Sequence, residues 1–158
     1  MQVLDLYAGT GALGFEAASR GASNVVLVEQ NRQVVAQLQE NKSYLLSKWP
    51  AAEGGKPPSI QIEANDVLAC LKRLASACNK QFDLVALDPP FRSDLMQATL
   101  PLIKAVLKPS GLVYAEWHEN MLADEAALCK ALNVQEIDAL RHLKAGQVHA
   151  HLFALPAV

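Results

Sequence analysis

Short apolar runs alternate with helix-type patterns along the chain, and this alternation restricts the fold more than any other feature. Chains of this kind form parallel sheets that are covered by helices on both faces. The predicted strands of this part are Val3–Tyr7, Asn24–Glu29, Ser59–Glu63, Phe82–Leu87 and Leu112–Trp117. The predicted helices between them are Ala12–Arg20, Arg32–Leu46, Val67–Cys78 and Leu95–Leu107.

The pattern changes after Trp117. A predicted helix, Asp124–Leu132, is followed by two predicted strands, Val134–Leu140 and Gln147–Leu155. Their short connection around Lys144–Gly146 makes these strands antiparallel neighbours. The sequence therefore predicts an α/β fold with a doubly wound, mostly parallel sheet of seven strands and an antiparallel C-terminal hairpin.

Length and composition indicate one domain over residues 1–158. No apolar run reaches the about 20 residues that a membrane span requires, and no signal peptide is recognisable, so the chain is expected to be cytoplasmic. A monomer is expected. The net charge of −2 does not favour a non-specific nucleic-acid binder, which would carry a basic field. The cysteines, Cys70, Cys78 and Cys129, lack zinc or redox spacing and are expected to be free thiols.

The first loop, Gly9-Thr10-Gly11-Ala12-Leu13-Gly14, matches G-x-G-x-x-G between a predicted strand and a predicted helix. Such glycines let the backbone approach a ligand, and the helix N-terminus offers N–H groups to it. Glu29 ends the next strand, where a carboxylate can accept hydrogen bonds from both hydroxyls of a ribose. These features predict a nucleoside-containing cofactor, and the alternative is a tight turn with a surface glutamate. The residues expected to bind here are Ala8, Gly9, Thr10, Gly11, Glu29 and Gln30.

Two carboxylates indicate which cofactor this is. Asp5 lies inside the first strand, where its charge would oppose a pyrophosphate but favour the ammonium group of S-adenosylmethionine, directly or through water. Asp66 follows Asn65 after the third strand and can accept a hydrogen bond from an adenine amino group, while a neighbouring N–H, at Asn65 or Val67, meets a ring nitrogen. The alternative role for Asp66 is the N-cap of the next helix, and the two roles are compatible.

The strongest signal is Asp88-Pro89-Pro90-Phe91, directly after the buried fourth strand. In open α/β sheets ligands bind outside the carboxyl ends of the strands, so this tetrapeptide faces the same crevice as the glycine loop. The two prolines make a stiff segment without donors. The Asp88 carboxylate and the Pro89 carbonyl can each accept a hydrogen from one amino group, and Phe91 offers a face for stacking a base.

On these residues the chain resembles the class I S-adenosylmethionine-dependent methyltransferases with an (Asp/Asn)-Pro-Pro-(aromatic) motif, which act on exocyclic amines of nucleobases. More narrowly, it is similar to the bacterial ribosomal RNA small subunit methyltransferase D family, which methylates guanine N2 in small-subunit (16S) ribosomal RNA. The matching stretches are Leu4–Ala17, Ser19–Ala22, Leu87–Arg92 and Ala145–Val148, and they span almost the whole chain.

The resemblance implies a Rossmann-like domain that binds S-adenosylmethionine, releases S-adenosylhomocysteine and needs no metal. It implies that the guanine amino group is positioned by Asp88, Pro89 and Phe91, and that the partner is ribosomal RNA or the small ribosomal subunit. Members of this family carry a further segment before the first strand, which is expected to be missing here. The candidates for phosphate contacts are Arg92, Arg141, His142 and Lys144.

Several alternatives remain open from the residues alone. A nicotinamide-dependent oxidoreductase would fit the glycine motif with Glu29, but it leaves Asp5 and the Asp-Pro-Pro-Phe motif without a role. An N6-adenine or other exocyclic-amine methyltransferase fits the same motif, and so does a cofactor-binding core without turnover. His149 and His151 share one face of a predicted strand, but without a third ligand they do not predict a zinc site.

Overall fold

The computed structural model describes residues 1–49, 56–77, 81–90 and 94–156. Its strands form one sheet of seven, in the spatial order β3-β2-β1-β4-β5-β7-β6. Strands β1 to β5 are parallel, whereas β7 runs antiparallel to both of its neighbours. The predicted doubly wound sheet with an antiparallel C-terminal hairpin is therefore confirmed. The strands are β1 (Gln2–Leu6), β2 (Asn24–Glu29), β3 (Ser59–Ala64), β4 (Phe82–Leu87), β5 (Leu107–Trp117), β6 (Asp138–Ala145) and β7 (Val148–Ala154).

Within the described ranges, five helices connect the strands, and most of them begin at residues that cap helices well. The side chains of Asn31, Asp66 and Asp124 accept hydrogen bonds from backbone N–H groups in the first turns of α2, α3 and α5. A short 3-10 helix (Met121–Ala123) precedes α5. The helices are α1 (Ala12–Ser19), α2 (Arg32–Ser47), α3 (Val67–Ser76), α4 (Leu95–Ile103) and α5 (Glu125–Leu132).

Two apolar clusters cover opposite faces of the sheet, because alternate residues of a strand point to opposite sides. On one face Leu4 and Leu6 of β1 pack in the cluster that includes α3, α4 and α5. On the other face Val3 packs in the cluster that includes α1 and α2. Burial on both faces explains why the central strands are continuous apolar runs in the sequence. Because β1, β2 and β4 are parallel, their carboxyl ends lie along one edge of the sheet.

The end of α4 departs from the prediction. One helix was expected over Leu95–Leu107, but α4 ends at Ile103. The carbonyl of Val106 accepts hydrogen bonds from the backbone N–H groups of Gln81 and Phe82, so the chain has already joined the sheet there. The fifth strand was expected to begin at Leu112, but β5 begins at Leu107 and contains an irregularity before Leu112, where Ser110 has a φ of 59°.

The sixth strand also begins later than predicted. A strand was expected over Val134–Leu140, whereas β6 begins at Asp138 and continues to Ala145. Val134 belongs to the end of α5, because Asn133 adopts a left-handed φ of 55° and the Val134 N–H bonds back to the carbonyl of Cys129. The other predicted boundaries agree with the structure within two residues.

The structure also bears on the expectations about membrane spans and free thiols. Among the described residues, no helix has the length and apolar character that a bilayer crossing would need. Cys70 is buried and Cys129 half-buried, both as free thiols, while Cys78 lies outside the described residues.

Candidate active site

The glycine loop turns sharply between β1 and α1. Gly9 and Gly11 have φ values of 53° and 85°, which glycine adopts without steric cost. The Gly11 N–H donates to the carbonyl of Ala8 at 2.7 Å, and the Ala8 N–H donates to the carbonyl of Val28 at 2.9 Å. No side chain caps α1, so the loop presents backbone at the helix N-terminus. This is the arrangement that the G-x-G-x-x-G motif predicts.

Asp5 lies beneath this loop rather than in the crevice. Its side chain is 1% exposed, and its Oδ2 accepts a hydrogen bond from the Gly14 N–H at 2.8 Å. Burial raises the pKa of the Asp5 carboxyl to about 7, the Gly14 hydrogen bond opposes that rise, and the charge of Asp88 adds to it. This hydrogen bond joins β1 to α1, and the predicted contact with an ammonium group stays a prediction.

Glu29 connects the loop to the end of β2. Its two carboxylate oxygens accept hydrogen bonds from the backbone N–H groups of Gly9 at 3.1 Å and Asn31 at 2.8 Å. The carboxylate is only half-buried, so its remaining lone pairs face the crevice. The position agrees with the predicted contact to ribose hydroxyls.

Asp66 performs the capping role that was the alternative reading. Its Oδ1 accepts a hydrogen bond from the Ala69 N–H at 2.9 Å, and its own N–H donates to the Asn65 side chain. Asp66 and Val67 also line the crevice, whereas Asn65 is exposed and is not among the lining residues. The cap thus holds the carboxylate at the crevice, so capping and ligand binding are compatible here.

The Asp88-Pro89-Pro90 segment follows β4 and forms the opposite wall. Burial raises the pKa of the Asp88 carboxyl, and the negative charge of Glu116 adds to the rise. Glu116 lies on β5, one residue beyond the pairing of Leu87 with Ala115, and its Oε1 accepts a hydrogen bond from the Tyr114 hydroxyl at 2.7 Å. A carboxyl with a raised pKa accepts protons more readily than an ordinary aspartate.

One cavity of about 350 Å³ lies between these walls. Its volume falls in the range of small-molecule sites, roughly 300–1,000 Å³. It brings together eight of the residues singled out from the sequence: Gly9, Glu29, Gln30, Asp66, Val67, Asp88, Pro89 and Pro90. Phe91 and Arg92 lie outside the described residues, so their predicted roles stay predictions.

The remaining candidates lie elsewhere. Within the loop, Ala8 and Gly11 are buried and Thr10 is exposed. Arg141 and Lys144 lie on β6, at the far edge of the sheet, and are not part of the cavity.

The prediction missed three residues that line the cavity, Tyr7, Val28 and Leu95. Tyr7 has a positive φ of 65°, unusual for a residue with a side chain, and its hydroxyl forms a 2.6 Å hydrogen bond with the buried hydroxyl of Thr99. Tyr7 stands between the predicted Asp5 and Gly9, which was the only signal in the sequence. The strained turn and the pairing with Thr99 depend on α4 and could not be read from it.

The strand order, the glycine loop and the cavity at the carboxyl ends of the strands define a Rossmann-like methyltransferase fold. A family model described as Conserved hypothetical protein 95 matches residues 1–154. The chain belongs to this family. The resemblance inferred from the motifs is confirmed at that level.

Individual relatives and a solved structure extend this comparison. Ribosomal RNA small subunit methyltransferase D of Haemophilus influenzae is 35% identical over 75% of this chain and 58% of its own length. The Escherichia coli protein of the same name is 32% identical over 73% of this chain and 52% of its own length. A solved Thermus thermophilus 16S rRNA N2 methyltransferase, in complex with AdoMet and guanosine, shares 28% identity with a TM-score of 0.65, covering 98% of this chain and 37% of that one. The chain therefore spans about half the length of the curated relatives it matches.

Proposed function

We propose that this chain transfers a methyl group from S-adenosylmethionine to the exocyclic N2 amine of a guanine in small-subunit ribosomal RNA. The observation that carries the proposal is the single cavity that has Gly9 and Glu29 on one wall and the Asp88-Pro89-Pro90 segment on the other. A nucleoside-binding wall that faces acceptors for an amino group suits a reaction between a nucleoside cofactor and an amine.

The donor set of the first wall fits S-adenosylmethionine. Glu29 provides carboxylate lone pairs for ribose hydroxyls, and Asp66 provides a carboxylate for an adenine amino group. Val28, Val67 and Leu95 supply apolar surface for the purine ring. When bound, this cofactor supplies a methyl group on a positively charged sulfur, so no metal is needed to activate the leaving group.

Asp88 and Pro89 would hold the acceptor. The Asp88 carboxylate and the Pro89 carbonyl can each accept one hydrogen of the amino group, which draws the amine out of conjugation and aims its lone pair along the line of transfer. As the new carbon–nitrogen bond forms, the bond between the methyl group and sulfur breaks and S-adenosylhomocysteine leaves. The amine becomes acidic in this step, and the Asp88 carboxylate would accept its proton. The raised pKa of Asp88 favours that step.

The choice of guanine N2 comes from the relatives. Both curated relatives are named as ribosomal RNA small subunit methyltransferases, and the related T. thermophilus structure contains guanosine. Arg92, Arg141 and Lys144 stay candidates for contacts to RNA phosphates. On β6 both Arg141 and Lys144 are exposed, as contacts to a large partner require.

Calorimetric titration with S-adenosylmethionine, S-adenosylhomocysteine and NADH tests the cofactor. We expect saturable binding of the two sulfur nucleosides and none of NADH. Binding of NADH alone would make the chain a nicotinamide enzyme, and the absence of any binding would overturn the proposal for this chain.

Asp88→Ala tests the chemistry. We expect methyl transfer to unmodified small-subunit RNA to fall on the order of 100-fold or more, because the amine loses an acceptor and its orientation, while cofactor affinity changes little. Asp138→Ala, an exposed carboxylate on β6, is the matched control and should leave transfer unchanged. Nucleoside mass spectrometry identifies the product as N2-methylguanosine or N6-methyladenosine. An equal loss of transfer and cofactor affinity would show that Asp88 serves the cofactor or the fold instead.

A further inference from the structure

Three histidines meet on one face of the C-terminal hairpin, away from the cavity. His142 of β6 is paired with His151 of β7, and Lys144 with His149. One ring nitrogen from each of the three histidines lies within 4.8 Å of the others. Among the residues that the structure describes, no other group of three or more histidine, cysteine, aspartate or glutamate side chains is arranged to hold a metal ion.

His142 and His149 already direct nitrogen atoms at one another. The Nε2 of His142 lies 2.8 Å from the Nδ1 of His149. Their ring centroids are 5.0 Å apart at an interplanar angle of 13°, so the two rings meet edge to edge. Lone pairs of imidazole nitrogens lie in the ring plane, and these two therefore point into the same gap. In the hydrogen bond between them, one nitrogen donates and the other accepts.

The hydrogen bonds of His151 fix which of its nitrogens carries a lone pair. A carbonyl only accepts, so the 3.1 Å contact with the carbonyl of Ala115 places the proton on Nδ1. The Nε2 accepts a 3.1 Å hydrogen bond from the Met121 N–H. A histidine that donates Nδ1–H to a backbone carbonyl and keeps a lone pair on Nε2 has the orientation typical of metal ligands.

We propose that His142 Nε2, His149 Nδ1 and His151 Nε2 form a binding site for a divalent transition-metal ion of the Zn²⁺ type. Neutral imidazoles are ligands that suit Zn²⁺, Ni²⁺ and Cu²⁺, and three of them leave a fourth position for water. Two nitrogens on one tetrahedral zinc lie about 3.3 Å apart at Zn–N distances of about 2.0 Å. The pair therefore opens by about half an ångström.

Metal binding requires two local rearrangements. The proton between His142 and His149 moves to the other nitrogen of its own ring, which keeps both imidazoles neutral and frees two lone pairs. His151 gives up the hydrogen bond from the Met121 N–H. His142 is exposed and His149 half-exposed, so both side chains can move, whereas the buried His151 is fixed by the Ala115 carbonyl.

The charge of a neighbouring lysine limits binding. Lys144 is paired with His149 across the hairpin, and its positive charge opposes a bound cation. Lys144→Gln should therefore bind the metal more tightly.

The site would join the two strands of the hairpin. His142 lies on β6, and His149 and His151 lie on β7. All eight residues of β6 are exposed, so this strand is held mainly by its ladder to β7. A metal ion that binds only the folded hairpin would raise its stability.

Zn²⁺ titration of the purified chain tests the site. We expect one saturable site, and a loss of affinity on the order of 100-fold in the double variant His142→Ala/His149→Ala. The chain has four histidines, and His118→Ala, the one outside the cluster, is the matched control that should bind as tightly as the unaltered chain. Circular dichroism verifies that the variants fold. We expect them to fold because His118 and His142 are exposed and His149 is half-exposed.

Two spectroscopic readouts identify the ligands. Co²⁺ bound at this site should show the visible bands of tetrahedral nitrogen coordination without the near-ultraviolet charge-transfer band of a cysteine thiolate. On adding Zn²⁺, the ring ¹⁵N resonances of His142, His149 and His151 should shift, those of His118 should not, and the Met121 amide should shift as its hydrogen bond is lost.

Three results would overturn the proposal. These are the absence of saturable Zn²⁺ binding, unchanged affinity in the double variant, and a thiolate band in the Co²⁺ spectrum. Binding with unmoved His151 and Met121 resonances would reject the three-histidine site and leave a two-histidine contact. None of these outcomes depends on methyl transfer.

Discussion

The first and sixth strands belong to one sheet but are stabilised in different ways. In β1 the residues from Val3 to Leu6 are at most 1% exposed, whereas all eight residues of β6 are exposed. β1 is paired on both edges and packed on both faces, so nearly every side-chain change there alters the core. β6 is paired on one edge only, so its side chains are free to serve contacts outside the chain.

This difference also separates two kinds of chemistry. The buried strands hold the backbone of the cavity in place, and the candidate ligand-binding groups line it at their carboxyl ends. The exposed strand β6 carries the basic side chains of Arg141 and Lys144 and the imidazole of His142. Changes in the two regions should therefore differ in size, and the following predictions measure that difference.

The largest difference is expected for a pair of leucines. Leu4→Ala leaves a cavity in the apolar cluster between the sheet and helices α3, α4 and α5. It should lower the free energy of unfolding by about 2–5 kcal/mol. Leu143→Ala on β6 removes a side chain that is 59% exposed and should change it by about 0.5 kcal/mol or less. Urea denaturation of the two variants measures both values. Similar losses at the two positions would show that β6 is buried in solution.

Asp5 predicts a pH-dependent effect in the buried region. Its pKa is raised from 3.8 to about 7, so folding favours the protonated carboxyl, and stability is lost as the pH rises from about 4 to 7. Asp5→Asn keeps an oxygen for the Gly14 N–H and does not ionise. The unfolding free energy of the variant minus that of the unaltered chain should be larger at pH 8 than below pH 4. The increase should be at most about 4 kcal/mol. A difference that stays constant across this pH range would contradict the buried, uncompensated carboxylate.

The smallest difference is expected between two glycines. A Cβ at Gly14 would collide with the Leu27 side chain and lie 3.0 Å from Asp5 Oδ2, so Gly14→Ala should cost about 1–3 kcal/mol. A Cβ at Gly146, in the hairpin turn, would meet nothing within 4 Å, and only its φ of 61° opposes alanine. Gly146→Ala should therefore cost about 1 kcal/mol. Thermal unfolding ranks the two variants, and a larger cost at Gly146 would reverse the comparison.

Particular residues show which parts of the site and fold could be predicted from the sequence. The glycine loop, Glu29 and the Asp88-Pro89-Pro90 segment could be placed at one crevice, because their positions follow from the end of a strand in a parallel sheet. Asp5 could not, because its position in the motif does not reveal that its carboxylate bonds to the Gly14 N–H beneath the loop. The late start of β6 was hidden because Val134 is apolar and still belongs to the end of α5.

The histidines of the hairpin illustrate the same limit. His149 and His151 share a strand face by simple alternation, but His142 joins them only through the pairing of β6 with β7. That pairing follows from the two-residue turn between Ala145 and Val148, which sets the register of the hairpin. Residues near in sequence gave two ligands, and the tertiary structure supplied the third.

The sequence by itself determined the fold class, the order of its elements and the edge of the sheet where the cavity lies. These properties follow from local periodicity and from the handedness of strand–helix–strand units, which apply wherever the pattern occurs. Only the tertiary structure decided which polar groups are buried, which line the cavity and which meet across the hairpin. Burial, strained turns such as Tyr7 and strand register arise from contacts between distant parts of the chain, so no local pattern contains them.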